Sequence, residues 1–96
     1  MHPIRNSLES TEAGEAAGSR VSSTAKALHI LDCFTLTQPE LSLAQISRML
    51  EMPKSTLLNQ LRTLEEAGFL ARSQSSQTYR LGYKIMNLSY CARASL

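Results

Sequence analysis

Ser55, Leu58, Asn59, Arg62 and Thr63 have the types and the spacing to meet a patterned polar surface. They recur at intervals of three and four, so on a helix of 100° per residue they share one face. Leu57, Leu61 and Leu64 gather on the other. An asparagine can bond the adenine edge in bidentate fashion, an arginine can do so with guanine or hold a phosphate, and a leucine can lie on a thymine methyl. Lys54, Ser55 and Thr56 open the helix, where unpaired amides and the helix dipole favour a phosphate. Glu65 and Glu66 come only at its far end, so the first three turns carry no acid. This face matches a helix offered to the major groove of double-stranded DNA. An ordinary solvated amphipathic helix would carry the same pattern.

The elements around this helix must hold it out. The preceding stretch has Leu43, Ile46, Met49 and Leu50 at helical spacing, the buried stripe of a short helix. Ser42 stands before it and Gln45 follows three positions later, the pattern of a capping box. The stripe stops at Glu51 and Met52, and Pro53 opens the next helix, which runs to about Ala67 with Gly68 as its left-handed terminator. Beyond Gly68, FLARS and TYRLG read as two strands around a polar QSSQ tip. Leu70 and Arg72 alternate around Ala71, and Tyr79 and Leu81 around Arg80. Arg72 and Arg80 flank the tip, where either or both could contact phosphate or reach the minor groove. Solubilising the strands is the plainer role for them.

A helical pair followed by a basic hairpin is a winged helix-turn-helix. The stretch LSLAQISRMLEMPKSTLLNQLRTLEEAGFL, with the later YRLG, resembles the N-terminal domain of the IclR family of bacterial transcription regulators. The resemblance covers roughly residues 21 to 90 and is most specific at PKST, LRTLEEAGFL and YRLG. It implies a mainly α fold, with three helices, a two-stranded wing and a C-terminal linker helix. It implies sequence-specific DNA binding in the cytoplasm, as a repressor or activator, with Ser42, Lys54, Ser55, Thr56, Leu58, Asn59, Arg62, Thr63, Arg72 and Arg80 as the contact set. It also implies a homodimer or higher homo-oligomer on a pseudo-palindromic operator. A small-molecule effector would act only through a C-terminal domain absent from this chain, because family members continue past the linker helix into one.

The sequence departs from the family pattern in places. Glu51 occupies the turn position where glycine is usual. Asn59 stands where arginine is common, and Gln60 fills a slot that is usually apolar. The wing tip lacks the Asn-Gly or Asp-Gly pair of a tight turn, which predicts a longer, mobile loop.

The first helix is expected from Ser22 or Ser23 to about Leu36, with Ala27, Leu28, Leu31 and Phe34 buried and Lys26, His29 and Cys33 turned away. In the family it packs across the back of the helical pair and helps to pair subunits. The predicted core is Leu28, Leu31, Ile46, Leu57, Leu61, Leu64, Phe69 and Leu81. After Gly82 a last helix is expected over 83–96, with a stripe of Ile85, Leu88, Ala92 and Leu96 flanked by Tyr83 and Tyr90.

The chain has 96 residues, which allows one modest core, and a net charge of +2. Residues 1–20 are rich in Ser, Glu, Gly and Ala and read as a disordered tail. The remainder, read as a winged domain over 21–82 and the start of the linker, holds eight Lys and Arg against five Asp and Glu, a net of +3. That balance permits nucleic-acid binding. No signal peptide or membrane span is visible. Cys33 and Cys91 read as free thiols. His29 and Cys33 have a spacing that could hold a metal, but no second ligand pair accompanies them. No cofactor is expected. Neither is catalysis, because no Gly-rich phosphate loop, paired carboxylates or Ser, His and Asp set occurs. The competing reading is a winged-helix module that docks proteins without nucleic acid. It predicts acidic or apolar residues on the outer helix face, where only Leu58 fits.

Overall fold

The computed structural model describes residues 22–96. The expectation for the tail at residues 1–20 lies outside them. The elements run α1 (Ser23–Asp32), β1 (Leu41–Ser42), α2 (Leu43–Leu50), α3 (Lys54–Glu66), β2 (Leu70–Ser73), β3 (Thr78–Leu81) and α4 (Tyr83–Ala94). The fold is mainly helical, with a three-stranded antiparallel sheet in the order β1-β3-β2. β1 was not anticipated: two residues have no periodicity to read. It pairs Leu41 with Tyr79 and Ser42 with Thr78, so the chain entering α2 is stitched to the wing.

Each helix starts and stops for a local reason. Ser22 caps α1 by accepting from the Ala25 amide. α1 ends at Asp32, four residues earlier than expected, because Thr35 and Gln38 exchange backbone hydrogen bonds and Thr35 Oγ1 also accepts from the Gln38 amide. Leu36 stands fully exposed at the tip of that turn. α2 has the predicted capping box between Ser42 and Gln45. Glu51 then turns left-handed, φ 52° and ψ 46°, and closes α2. Pro53 is the N-cap of α3 rather than its first residue. Gly68, φ +86°, ends the α3 segment as predicted, and Phe69 N–H returns to the Leu64 carbonyl at 2.9 Å.

The core is Ile30, Cys33 and Phe34 of the α1 segment, Leu41, Ile46 of α2, Leu57, Leu61 and Leu64 of α3, and Leu70 and Tyr79 of the wing. The predicted Ile46, Leu57, Leu61 and Leu64 are buried, and Leu31 and Phe69 pack partly against them. Leu28 and Leu81 are exposed instead. The stripe of α1 centres on Ile30, which lies between Ala27 and Phe34 on the wheel. This rotates Leu28 outward and brings Cys33 inward, against expectation. Leu81 ends β3 over an open cleft shared with Phe34, Thr35, Leu36, Pro39 and Arg80. In α2, Met49 is exposed although the stripe included it.

α4 is fastened at its start. Gly82 N–H donates to the Phe69 carbonyl at 2.8 Å and Lys84 N–H to the Gly68 carbonyl at 3.0 Å. A Cβ on Gly82 would lie 2.4 Å from the Gly68 oxygen, and the Tyr83 ring fills the space a Cβ on Gly68 would need. The expected stripe of α4 is not buried: no residue of this helix is.

Candidate nucleic-acid interface

α3 is held on the body by its leucines. Leu57 and Leu61 have no exposed surface and Leu64 very little. Burying three leucines fixes the rotation of the helix about its axis, because turning it would return that apolar area to water. Lys54, Ser55, Leu58, Asn59, Arg62 and Thr63 are therefore brought together on the exposed side, and Thr56 is half-buried at its edge. No acidic residue lies in the first turn. Gln60 is half-buried next to the leucine face, which explains how a polar residue is tolerated there.

The side chains on this face differ in how free they are. Thr63 Oγ1 donates to the Asn59 carbonyl at 3.1 Å, so its proton is committed to the helix. Arg62 Nη1 lies 3.5 Å from Asn59 Oδ1, a long contact that a stronger acceptor would displace. Pro53 gives α3 no side-chain cap, and the amides at its start remain available. The turn leading into α3 is braced by Ser47, whose Oγ donates to the Met52 carbonyl at 2.7 Å. Sequence reading missed that brace, since a half-buried serine carries no periodic signal.

Ser42 lies apart from α3, at the start of α2, and its hydroxyl accepts from the Gln45 amide. Its backbone pairing with Thr78 sets it beside the wing. The wing strands pair Leu70 with Leu81, Ala71 with Arg80, Arg72 with Tyr79 and Ser73 with Thr78. Directly paired residues share a face, so Arg72 and Arg80 lie on opposite faces of the hairpin and cannot act as one pair. Arg72 stands over the Tyr79 ring, 5.7 Å from its centre, and its Nη2 donates to Gln77 Oε1 at 2.9 Å.

The four-residue loop 74–77 is longer than a tight turn, as expected, but it is cross-braced. Gln77 is left-handed, φ 59°, and its N–H donates to the Ser73 carbonyl. On the other face Ser76 Oγ is 2.7 Å from Thr78 Oγ1, which donates to Glu40 Oε1 at 2.8 Å. Gln77 and Glu40 were not singled out in sequence, because their roles exist only once β1 and the loop are in place.

His29 is half-buried and its Nε2 has no hydrogen-bond partner among the described residues, while Cys33 Sγ donates to the His29 carbonyl. Among the described residues no cluster of three or more His, Cys, Asp or Glu could hold a metal. Cys33 is buried and Cys91 is exposed. No described helix is long and apolar enough to cross a membrane.

The IclR helix-turn-helix domain model matches residues 23–74, more than half of the chain. The chain belongs to the IclR family. It is 33% identical over 76 residues to the HTH-type transcriptional regulator XynR of Escherichia coli (strain K12), covering 79% of this chain and 30% of XynR. The IclR family transcriptional regulator of Brucella abortus superposes with a TM-score of 0.73 at 32% identity, covering 79% of this chain and 29% of that one. An IclR regulator from Silicibacter gives 0.74 at 31%, with 77% and 29% covered. The chain thus spans less than a third of the length of these relatives, and it corresponds to their IclR helix-turn-helix domain.

Proposed function

We propose that this IclR domain binds double-stranded DNA sequence-specifically and thereby regulates bacterial transcription, with α3 in the major groove. The observation that carries this is the division of α3: leucines wholly buried on one side, and Lys54, Ser55, Asn59 and Arg62 exposed together on the other without an acid in the first turn. Lys54, Ser55 and Thr56 hold phosphate at the helix start, indifferent to sequence. Leu58, Asn59 and Arg62 read base edges. Ser42 and (once its hydroxyl turns from the Asn59 carbonyl) Thr63 contact the backbone alongside, and the wing contacts phosphate or reaches the minor groove. Two copies bind a pseudo-palindromic operator as a homodimer or higher homo-oligomer, because one such helix reads only a few base pairs. The pairing surface is either α1 or the stripe Ile85, Leu88 and Ala92 of α4. In a full-length regulator a small-molecule effector acts through the region that the longer relatives carry outside this domain.

Leu58, exposed on the same face, supports the competing reading of a protein-docking module. Titration with random duplex DNA across salt concentrations separates the two. Counterion release makes DNA affinity fall steeply with salt. Selection from a random duplex pool should then return one enriched motif. Weak, salt-insensitive binding with no enriched motif would favour docking to protein.

A further inference from the structure

The wing holds one of its arginines ready and leaves the other without support. The Gln77 side chain uses both ends of its amide: Oε1 accepts from Arg72 Nη2 at 2.9 Å, and Nε2 donates to the Gln74 carbonyl at 2.9 Å. Its backbone is left-handed at φ 59°, and its N–H closes the loop on the Ser73 carbonyl. The Tyr79 ring lies beneath the Arg72 guanidinium. Arg72 is thereby oriented at the hairpin end, and among the described residues only one of its five N–H donors is committed. Arg80, paired with Ala71 on the opposite face, has no such partner among the described residues.

We propose that Gln77 is a positioning residue that presents Arg72 to the DNA minor groove beside the α3 site, so that the wing prefers A·T-rich flanks. The inference rests on the proposed DNA binding and adds to it a single wing contact and its support. A pre-oriented guanidinium suits a narrow, strongly negative groove, and groove width depends on A·T content. The bracing by Gln77 reduces the orientational freedom that an arginine on a bare hairpin would lose on binding. Arg80 takes no part in this contact.

The test selects binding sites from a random duplex pool with the whole chain and its variants. The Arg72 side-chain NMR signal is followed in parallel without DNA. Wild type should enrich a core motif with A·T-rich flanks. Gln77→Gly is the informative variant, since glycine suits φ 59° and keeps the turn while removing the amide. It should keep the core motif, lose the flank preference, bind the A·T-flanked site about tenfold more weakly, and show a more mobile Arg72. Arg72→Gln should lose the same preference. Gln77→Glu, which still offers Arg72 an acceptor, should retain it, and so should Arg80→Gln. The inference is overturned if Gln77→Gly keeps the flank preference or an unchanged Arg72 signal, or if Arg80→Gln abolishes the preference. A core motif without any flank preference in the wild type sinks the wing inference alone. No enriched motif at all sinks the DNA-binding proposal, and the wing inference with it.

Discussion

α3 and α4 are nearly equal in length, thirteen and twelve residues, and each has a face rich in apolar side chains. α3 buries its leucines and leaves only Leu58 among its large apolar residues exposed. α4 buries none, and Met86, Leu88 and Tyr90 are all exposed. α3 is thus complete as a structural element within this domain, and what it shows outward is a polar surface able to bond a partner. α4 is fastened at its start, where Gly82, Tyr83 and Lys84 meet Gly68 and Phe69. Its apolar length is unmatched by anything among the described residues.

The comparison breaks most visibly in the leucines. Leu61→Ala should destabilise the domain by about 2–5 kcal/mol, the range for truncating a buried leucine where the surroundings cannot fully collapse. Leu88→Ala should change monomer stability by less than about 0.5 kcal/mol, as surface substitutions do. Thermal or urea unfolding at low protein concentration measures both. A large loss for Leu88→Ala that grows with protein concentration would show that α4 is buried between copies. An equally large loss at every dilution would mean that α4 packs on its own domain, contrary to the structure.

The junction that makes α4 different can be tested directly. In Gly82→Ala the new methyl group meets the Gly68 carbonyl at 2.4 Å and the Leu70 backbone at 3.1 Å, so the backbone must move. The cause is steric, because φ −95° is open to any residue. Overpacking of this kind costs about 1–3 kcal/mol. Amide exchange should rise first in α4 and at the Gly82 and Lys84 amides, with α3 protected until global unfolding. Uniformly raised exchange would mean that the two helices are less independent than the packing indicates.

On the outer face of α3 the expected effects are on binding. Asn59→Ala should lose about 1–3 kcal/mol on the preferred site and little on random duplex, whereas Lys54→Ala should weaken both alike and reduce the salt slope by about one. The contrast follows from position: Lys54 is in the first turn, and Asn59 lies a turn and more further along. The long contact from Arg62 to Asn59 sharpens the measurement. If Arg62→Ala and Asn59→Ala each cost as much as the double variant, the two residues act as one reading unit. An Asn59→Ala effect equal on all sequences, or none, would end the assignment of this face as the specificity surface.

How legible these regions were follows from how local their determinants are. The capping box at Ser42 and Gln45, the three leucines of α3 and the stop at Gly68 are each written within one or two turns of chain, and the structure has all of them. The phase of α1 was misjudged because Leu28 and Ile30 are equally apolar, and only the tertiary neighbours choose between them. β1 depends on a pairing across more than thirty residues, the division of Arg72 and Arg80 on the register of the hairpin, and the Gln77 brace on one loop dihedral. No pattern in the chain encodes those. The exposed polar face of α3 was readable by elimination once its buried side was known, whereas the wing proposal needed the hairpin register.

The smallest expected effect belongs to the turn that joins α2 to α3. Glu51 is left-handed at φ 52°, where helix-turn-helix chains commonly use glycine. An L-residue with a Cβ is strained there by roughly 1–2 kcal/mol. Part of that is offset in folding because glycine would lose more backbone freedom. The Ser47 hydroxyl on the Met52 carbonyl and the Met52 N–H on the Ser47 carbonyl hold the turn against the strain. Glu51→Gly should therefore raise stability by up to about 1 kcal/mol, read as a higher denaturation midpoint with an unchanged slope. The substitution also removes an exposed carboxylate from the approach to the α3 N-terminus. Random-duplex affinity should rise modestly at low salt and converge with wild type as salt screens the charge. Glu51→Gln tests the charge alone, and it should share the gain in affinity without the gain in stability. If Glu51→Gly instead destabilises, the turn is held by contacts of the Glu51 side chain, and the strain is not what limits it.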